Sequence, residues 1–259
     1  MKAASIFAVA LATTGLCAGS ALAQETFKVG VSVGLTGYAA AVDRAWRDGL
    51  EVAADYVNSK GGVRGRKIQL VIEDNKSEPQ EAVTVYRKMI SSDKVNIFIS
   101  GCVSAGNFAA AQFVVRAQIP MMLCSILPPQ PDLAVFKPTG ETLGNQFLFV
   151  AAPAQVYENL PEGALKQEIA RFLPLWRAKH GDRDAVWAGK AWDALMVTIA
   201  AIEKAQSFDG EAIRAAVETL PPYQGTGGLY SFSPSVHQGI TTNPFFMATY
   251  ENGKVQVKE

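Results

Sequence analysis

The chain of 259 residues has few of the residues that build metal sites, since it contains only two histidines and three cysteines. No HExxH, CxxC or His/Cys cluster at metal-ligand spacing occurs. A charge excess is also lacking, because 24 Lys and Arg balance 24 Asp and Glu, and this excludes the basic footprint of a nucleic-acid-binding protein. Beyond the N-terminal segment there is no uninterrupted apolar run of about 18 residues. With 49% apolar and 19% charged residues, the composition is that of a globular protein.

The N-terminal segment has the pattern of a secretory signal peptide. Lys2 precedes an uncharged, mostly apolar segment at 3–17 that is too short to span a bilayer. Ala21-Leu22-Ala23 then fits an A-x-A cleavage site. We therefore expect a signal peptide at 1–23 and a secreted chain that begins at Gln24 and does not insert into the membrane.

Between residues 28 and 125, short apolar runs alternate with segments of helical periodicity. Strands are predicted at 28–33, 67–73, 95–100 and 120–125. The apolar residues predicted to face inward from the three intervening helices are Val42, Trp46, Leu50, Ala53 and Val57, then Ala82, Tyr86, Met89 and Ile90, then Phe108, Ala111 and Val115. Because strand is followed by helix three times, the sequence predicts right-handed βαβ units, a parallel sheet and an α/β fold.

The carboxyl ends of parallel strands form the edge at which α/β proteins bind ligands. Here that edge would consist of 35–38, 101–104 and 124–125, and Tyr38 is placed to line a cleft. Ser104 stands at the start of the third helix, where its hydroxyl and the N–H groups of the first turn can bind a carboxylate. An ordinary N-cap serine would look the same in the sequence, so both interpretations are open.

Cys102 and Cys124 are the only cysteines that follow the expected signal peptide, and they are an even pair in an oxidising compartment. Each lies at the end of a predicted strand, and the two strands are consecutive. A disulfide between them and two small buried thiols are therefore both open interpretations.

After residue 125 the alternation stops. Residues 126–146 are rich in proline and glycine and carry no strand or helix pattern. The segments predicted beyond them are a strand at 147–151, helices at 163–180, 187–206 and 210–220, and β segments at 228–232, 245–250 and 254–257, the last two joined by the hairpin signal Asn252-Gly253.

Catalytic motifs are incomplete in this chain. Gly30, Gly34 and Gly37 fit neither the dinucleotide-binding spacing nor a P-loop. The segment 101–106 is one residue away from the G-x-S-x-G elbow of serine hydrolases. A secreted serine hydrolase that uses Ser104 and His237 is kept as an alternative.

A series of short motifs gives the chain a family resemblance. In order they are Lys28-Val29-Gly30-Val31, Leu35-Thr36-Gly37, Asn58-x-x-Gly61-Gly62-Val63-x-Gly65-Arg66-Lys67-Ile68, Val71-Ile72-Glu73-Asp74, Ile119-Pro120-Met121, Trp192-Asp193-Ala194 and Asn252-Gly253-Lys254. With these motifs the chain resembles the leucine-binding, branched-chain amino acid type of periplasmic substrate-binding proteins of ABC transporters. The resemblance implies the type I periplasmic binding protein fold, in which two α/β lobes close by a hinge on a ligand between them.

The resemblance also implies a function. Proteins of this type are not enzymes and carry no cofactor; they bind a small-molecule carboxylate in the periplasm and deliver it to a membrane permease. Ser104 matches the family's carboxylate-binding serine, and Cys124-Ser125 stands where the family has a second stretch of small ligand-binding residues. The predicted ligand-binding residues are Tyr38, Val103, Ser104, Ala105, Cys124 and Ser125.

The chain is shorter than a complete two-lobed member of that family would be. Two lobes need about 300 residues, whereas 236 follow the expected signal peptide. The resemblance therefore implies lobe one at 24–126, a Pro-rich seam at 127–146 where lobe-two material is missing, and an incomplete second lobe. Residues 147–259 would supply the lobe-two remnant, helices that return to lobe one and a C-terminal hairpin. Transport of an amino acid or related small carboxylate and a truncated relic without a tight ligand are both consistent with this arrangement.

Overall fold

The structure is a computed structural model that describes residues 25–124, 148–240, 245–251 and 254–258. The predicted signal peptide at 1–23, the predicted seam at 127–146 and Ser125 lie outside the described residues. Within the described ranges, no helix is long and apolar enough to cross a membrane.

Four strands form a parallel sheet near the N-terminus of the described chain. They are β1 (Thr26–Val33), β2 (Lys67–Asp74), β3 (Ile97–Ser100) and β4 (Met121–Leu123), and their order in the sheet is β2-β1-β3-β4. β1 pairs with β2 along its whole length, and β3 pairs with β4 up to Ser100 opposite Leu123. Because all four strands run the same way, their carboxyl ends lie along one edge, as the sequence predicts.

Helices cover both faces of this sheet. Six α-helices occur in the described residues: α1 (Ala40–Ser59), α2 (Pro79–Lys88), α3 (Ser104–Arg116), α4 (Ala164–His180), α5 (Val186–Ala205) and α6 (Gly210–Glu218). A π-helical turn (Met89–Asp93) follows α2, and a 3₁₀ helix (Pro153–Asn159) precedes α4. Alternate residues of β3 point to opposite faces of the sheet, each of which carries its own cluster of buried apolar residues. Ile97 and Ile99 belong to one cluster and Phe98 belongs to the other.

α1 packs on one face and is itself covered by α5. Its buried stripe includes Trp46, Leu50 and Ala53, as the spacing predicts. The two helices meet at Gly49, where an added methyl group would lie 2.3 Å from the carbonyl oxygen of Ala188. Only glycine permits the two backbones to approach this closely.

α2 and α3 pack on the opposite face, and the inward side of α3 differs from the prediction. Phe108 is 72% exposed and Val115 is 73% exposed, and Ala111 is only partly buried. The buried residues of α3 are Gly106, Asn107, Ala110 and Val114. The inward face contains the polar Asn107, whose amide donates to the carbonyl of Gly101 and accepts from the Tyr86 hydroxyl. Because apolar residues occur around the whole helix, hydrophobic spacing did not identify the buried side.

The described residues of the C-terminal part form two small antiparallel sheets. β5 (Leu148–Ala151), β8 (Phe246–Glu251) and β9 (Lys254–Val257) form one, in the order β5-β8-β9. β8 and β9 pair on either side of the predicted Asn252-Gly253 turn, which itself lies outside the described residues. The other sheet is a hairpin of β6 (Tyr223–Gly225), which the sequence analysis did not predict, and β7 (Gly228–Tyr230).

A buried aspartate on α5 holds this hairpin. Asp193 accepts hydrogen bonds from the N–H groups of Thr226 (2.7 Å) and Gly227 (2.8 Å), and from the hydroxyls of Tyr230 (3.0 Å) and Thr226 (3.1 Å). Burial raises the pKa of Asp193 to about 7, although the four donors oppose the shift. The hairpin thus supplies the hydrogen bonds that water would give an exposed carboxylate.

Candidate ligand-binding site

Three loops and one strand end meet at the carboxyl edge of the parallel sheet. The loop after β1 carries Tyr38, the loop after β2 carries Ser77, and the loop after β3 leads into α3 at Ser104. β4 ends beside Cys124. The edge therefore brings together the segments that the sequence analysis assigned to the ligand.

The first turn of α3 presents free hydrogen-bond donors. Val103 is the N-cap residue, and no side-chain hydrogen bond caps this helix. The Ser104 N–H donates to the Cys102 carbonyl (2.9 Å), but the Ser104 hydroxyl and the N–H groups of Ala105 and Gly106 meet no acceptor in the part of the chain that the structure describes. The interpretation of Ser104 as an ordinary capping serine is thus wrong, because its hydroxyl makes no capping bond.

The other predicted ligand residues differ in exposure. Tyr38 is 76% exposed and Ala105 is exposed, so both side chains face solvent. Val103 is fully buried, and its side chain packs beside Gly34 and Gly106. Val103 supports the loop, while Tyr38 and Ala105 remain accessible.

Cys102 and Cys124 form a disulfide, with 5.0 Å between their Cα atoms. β3 and β4 are neighbours in the sheet, so the residues that follow them are close enough for the bond. The bridge joins the loop that precedes Ser104 to the end of the edge strand. The prediction of a disulfide is therefore confirmed, and the alternative of two buried thiols is wrong.

Asp43 is a residue of this edge that the sequence analysis missed. Its carboxylate is fully buried; one oxygen accepts from the Gly34 N–H and the other from the Cys102 N–H, each at 2.7 Å. Burial raises the pKa of Asp43, against the effect of the two N–H donors. The sequence signal that could have identified it is an acidic residue on the apolar stripe of α1, three residues before Trp46.

Asp74 and Ser77 fix the loop that carries Tyr38. Asp74 accepts from the Leu35 N–H (2.9 Å), the Thr36 hydroxyl (2.8 Å) and the Lys76 N–H (2.8 Å). Burial opposes ionisation, but these hydrogen bonds outweigh it and lower the pKa of Asp74. Ser77 accepts from the N–H of the residue after Tyr38 and donates to the Thr36 carbonyl (2.7 Å). The loop after β1 is therefore held by side chains of the loop after β2.

His237, the proposed base of a hydrolase, does not approach Ser104. It is exposed, and its Nε2 lies 3.3 Å from a carboxylate oxygen of Glu218, at the end of α6. No described contact connects this pair with the first turn of α3. Across the described residues, no three His, Cys, Asp or Glu side chains stand close enough to hold a metal ion.

The family model for periplasmic binding proteins matches residues 26–156, just over half of the chain. The chain belongs to the periplasmic binding protein family. The matched range contains the parallel sheet, the three loops and the first turn of α3. The family resemblance noted from the motifs is thereby confirmed.

Sequence relatives match this chain over part of their length. An amino acid binding protein of Pseudomonas aeruginosa is 30% identical over 111 residues, which are 43% of this chain and 30% of that protein. The Leu/Ile/Val-binding protein homolog 7 of Brucella suis is 37% identical over 106 residues, 41% of this chain and 26% of that protein. The matches span less than a third of these relatives. Both are named as binding proteins, which agrees with a non-enzymatic chain and leaves the hydrolase alternative without support.

Solved structures confirm the fold. The substrate-binding protein LivJ of the Streptococcus pneumoniae branched-chain amino acid transporter, solved with isoleucine, has a TM-score of 0.70 to this chain at 16% identity. The alignment covers 90% of this chain and 98% of that one. The predicted type I periplasmic binding protein fold is therefore correct.

Proposed function

We propose that this protein is the periplasmic solute-binding component of an ABC importer for amino acids or related small carboxylates. Its partners would be the small-molecule carboxylate and the membrane permease of the transporter. The observation that carries the proposal is the first turn of α3, where the Ser104 hydroxyl and the N–H groups of Ala105 and Gly106 have no acceptor within the described residues.

The chemistry of this turn suits a carboxylate. A hydroxyl and unpaired N–H groups can donate to its oxygens, and the positive end of the α3 dipole favours an anion there. Asp74, Ser77, Asp43 and the Cys102–Cys124 disulfide hold the surrounding loops before any ligand arrives, so little ordering has to accompany binding. The names of the relatives, which include Leu/Ile/Val-binding proteins, support an aliphatic amino acid as the first ligand to test.

Affinity should be modest if the second lobe is incomplete, as we propose. A ligand bound to lobe one alone would remain exposed to water. Solvent-exposed charge contacts contribute about 1 kcal/mol or less each to the binding free energy. We therefore expect a dissociation constant no lower than about 1 mM, against micromolar or tighter values for a closed two-lobed cleft.

The test is an NMR titration of residues 24–259 with L-leucine, L-isoleucine, L-valine and benzoate. We expect the amide resonances of Ala105 and Gly106 to shift on saturation. Ser104→Ala should weaken binding about ten- to a hundredfold, because one hydrogen bond to a charged group is lost. Thermal stability should stay unchanged, since the Ser104 hydroxyl has no partner among the residues that the structure describes.

Ser91→Ala serves as the matched control, because Ser91 is an exposed serine in the turn after α2 whose hydroxyl bonds the Arg87 carbonyl. A Ser104→Ala protein that titrates like the Ser91→Ala protein would exclude this site. If none of the four compounds gives a saturable shift, the relic interpretation is favoured over transport.

A further inference from the structure

We propose that Asp43 is the positioning residue of the carboxylate site: its side chain holds the loop after β3 so that Ser104 meets the ligand in the correct geometry. This inference rests on the proposed function, because it concerns the same site. Asp43 itself is buried and would not touch the ligand.

A short series of hydrogen bonds connects Asp43 with Ser104. The Cys102 N–H donates to Asp43 at 2.7 Å, and the carbonyl of the same Cys102 accepts from the Ser104 N–H at 2.9 Å. The peptide units on both sides of Cys102 are therefore fixed, one by Asp43 and the other by the start of α3. A displacement of the Asp43 carboxylate would pass directly to the first turn of the helix.

Both oxygens of Asp43 are needed for this arrangement. One accepts from Gly34, in the loop after β1, and the other from Cys102, in the loop after β3. An asparagine has one acceptor oxygen and would direct its NH₂ group at the N–H of one loop. The carboxylate thus holds together two loops that adjoin the ligand edge.

Gly101 shows that the packing around Asp43 is tight. A methyl group added at Gly101 would lie 2.6 Å from a carboxylate oxygen of Asp43, 2.8 Å from a methyl carbon of Val33 and 2.9 Å from the Asp43 Cγ. Gly101→Ala therefore displaces the carboxylate, together with the Val33 side chain, without removing it. It gives a second way to test the same contact should Asp43→Asn fail to fold.

Asp48 provides a matched control on the same helix. It is also buried, but it pairs with Arg47 (2.5 Å) and Arg183 (2.9 Å), away from the two loops. Asp48→Asn should lower stability like other losses of a buried charge pair, without an effect on the ligand site.

The experiment compares wild type, Asp43→Asn, Gly101→Ala and Asp48→Asn by NMR titration with L-leucine, L-isoleucine, L-valine and benzoate, and by amide hydrogen exchange of the ligand-free proteins. We expect Asp43→Asn and Gly101→Ala to weaken binding at least ~10-fold and to speed exchange of the Cys102 and Ser104 amides, the two at 102–106 that have an acceptor among the described residues. Asp48→Asn should bind like wild type, and its Cys102 and Ser104 amides should exchange at the wild-type rate.

Wild-type affinity and wild-type exchange in Asp43→Asn would overturn the inference, as would an equal loss of affinity in Asp48→Asn. If the wild-type protein binds none of the four compounds, the proposed function fails. The role of Asp43 is then tested by the amide hydrogen-exchange rates alone. Faster exchange of the Cys102 and Ser104 amides in Asp43→Asn but not in Asp48→Asn would then support its positioning role, and equal rates would refute it.

Discussion

Asp43 and Asp193 are both buried aspartates on helices, yet they hold different kinds of structure. Asp193 accepts four hydrogen bonds from three residues of one hairpin, Thr226, Gly227 and Tyr230. Asp43 accepts two, from Gly34 and Cys102, which are far apart in sequence. The first carboxylate stabilises a local turn, whereas the second connects separate loops at the ligand edge. The number of hydrogen-bond donors to a buried carboxylate indicates how far its removal lowers the stability of the fold. The separation of those donors in the sequence indicates how many segments of the chain its removal displaces.

Their surroundings sharpen this difference. Close to Asp193 lies Lys190, whose Nζ is buried without a hydrogen-bond partner among the described residues and whose pKa is lowered by burial to about 8. Near Asp43 lies Asp74, whose negative charge adds to the effect of burial in raising the pKa of Asp43. One site contains opposite charges and the other contains like charges, so removal of either carboxylate has a different electrostatic consequence.

The largest effect should follow from Asp193→Ala. The substitution removes both acceptor oxygens from four donors, and because each unpaired buried donor costs about 1–3 kcal/mol, we expect a loss of about 4 kcal/mol in the free energy of unfolding at pH 6. Urea denaturation measures it. Hydrogen exchange of the Cys102 and Ser104 amides under native conditions should stay as in wild type. Faster exchange there would show that the two aspartates are not independent.

Removal of the disulfide should have the next largest effect. The cysteines are 22 residues apart, and loop-closure entropy then corresponds to about 3 kcal/mol of stability. We expect the double variant Cys102→Ala, Cys124→Ala to match the reduced wild-type protein in urea denaturation. A reductant should not change the double variant. Wild-type stability after reduction would mean that Asp43 alone is sufficient to hold the loop after β3.

A smaller effect is expected from Thr226→Val, which removes one of the four donors to Asp193 and keeps the side-chain shape. In the folded protein Asp193 keeps its proton up to about pH 7, whereas an unfolded aspartate loses it near pH 4. The folded state therefore binds more protons in this window, and the contribution of Asp193 to stability falls as the pH rises from about 4 to about 7.

Thr226 opposes that fall by donating to the ionised form. We expect Thr226→Val to cost about 2 kcal/mol at pH 8 and about 1 kcal/mol at pH 5, where Asp193 is protonated. Urea denaturation at both pH values measures the difference, with Thr84→Val as the control, since the Thr84 hydroxyl bonds only the Gln80 carbonyl on an exposed helix face. A loss that is equal at pH 5 and pH 8 would contradict the assignment of a pKa near 7.

The parallel sheet and its ligand edge were predictable because their signals are local. Apolar runs end in glycine- or serine-bearing loops, and β1 and β2 agree with the predicted strands to within two residues at each end. Strand–helix alternation then requires that the carboxyl ends share an edge. Ser104 could be assigned to the start of α3 from the same local pattern.

Features that depend on distant partners were not predictable. Asp43 bonds Cys102, and Asp193 bonds Thr226, and no periodicity within either helix identifies such partners. The buried face of α3 depends on Asn107, whose partners Tyr86 and Gly101 satisfy a polar group that spacing rules would place outside. The hairpin strand β6 has only three residues, too few for a pattern to emerge.

The close meeting of α1 and α5 at Gly49 and Ala188 has a consequence for the order in which this chain is made. About 140 residues separate the two positions, and at about 5–20 residues per second a ribosome needs roughly 7–28 s to add them. During that time the apolar stripe of α1 has no native partner, although the strands beside it are already synthesised. We therefore expect a chaperone that binds exposed apolar segments to bind α1 during synthesis, because the helix that covers α1 is made long after it.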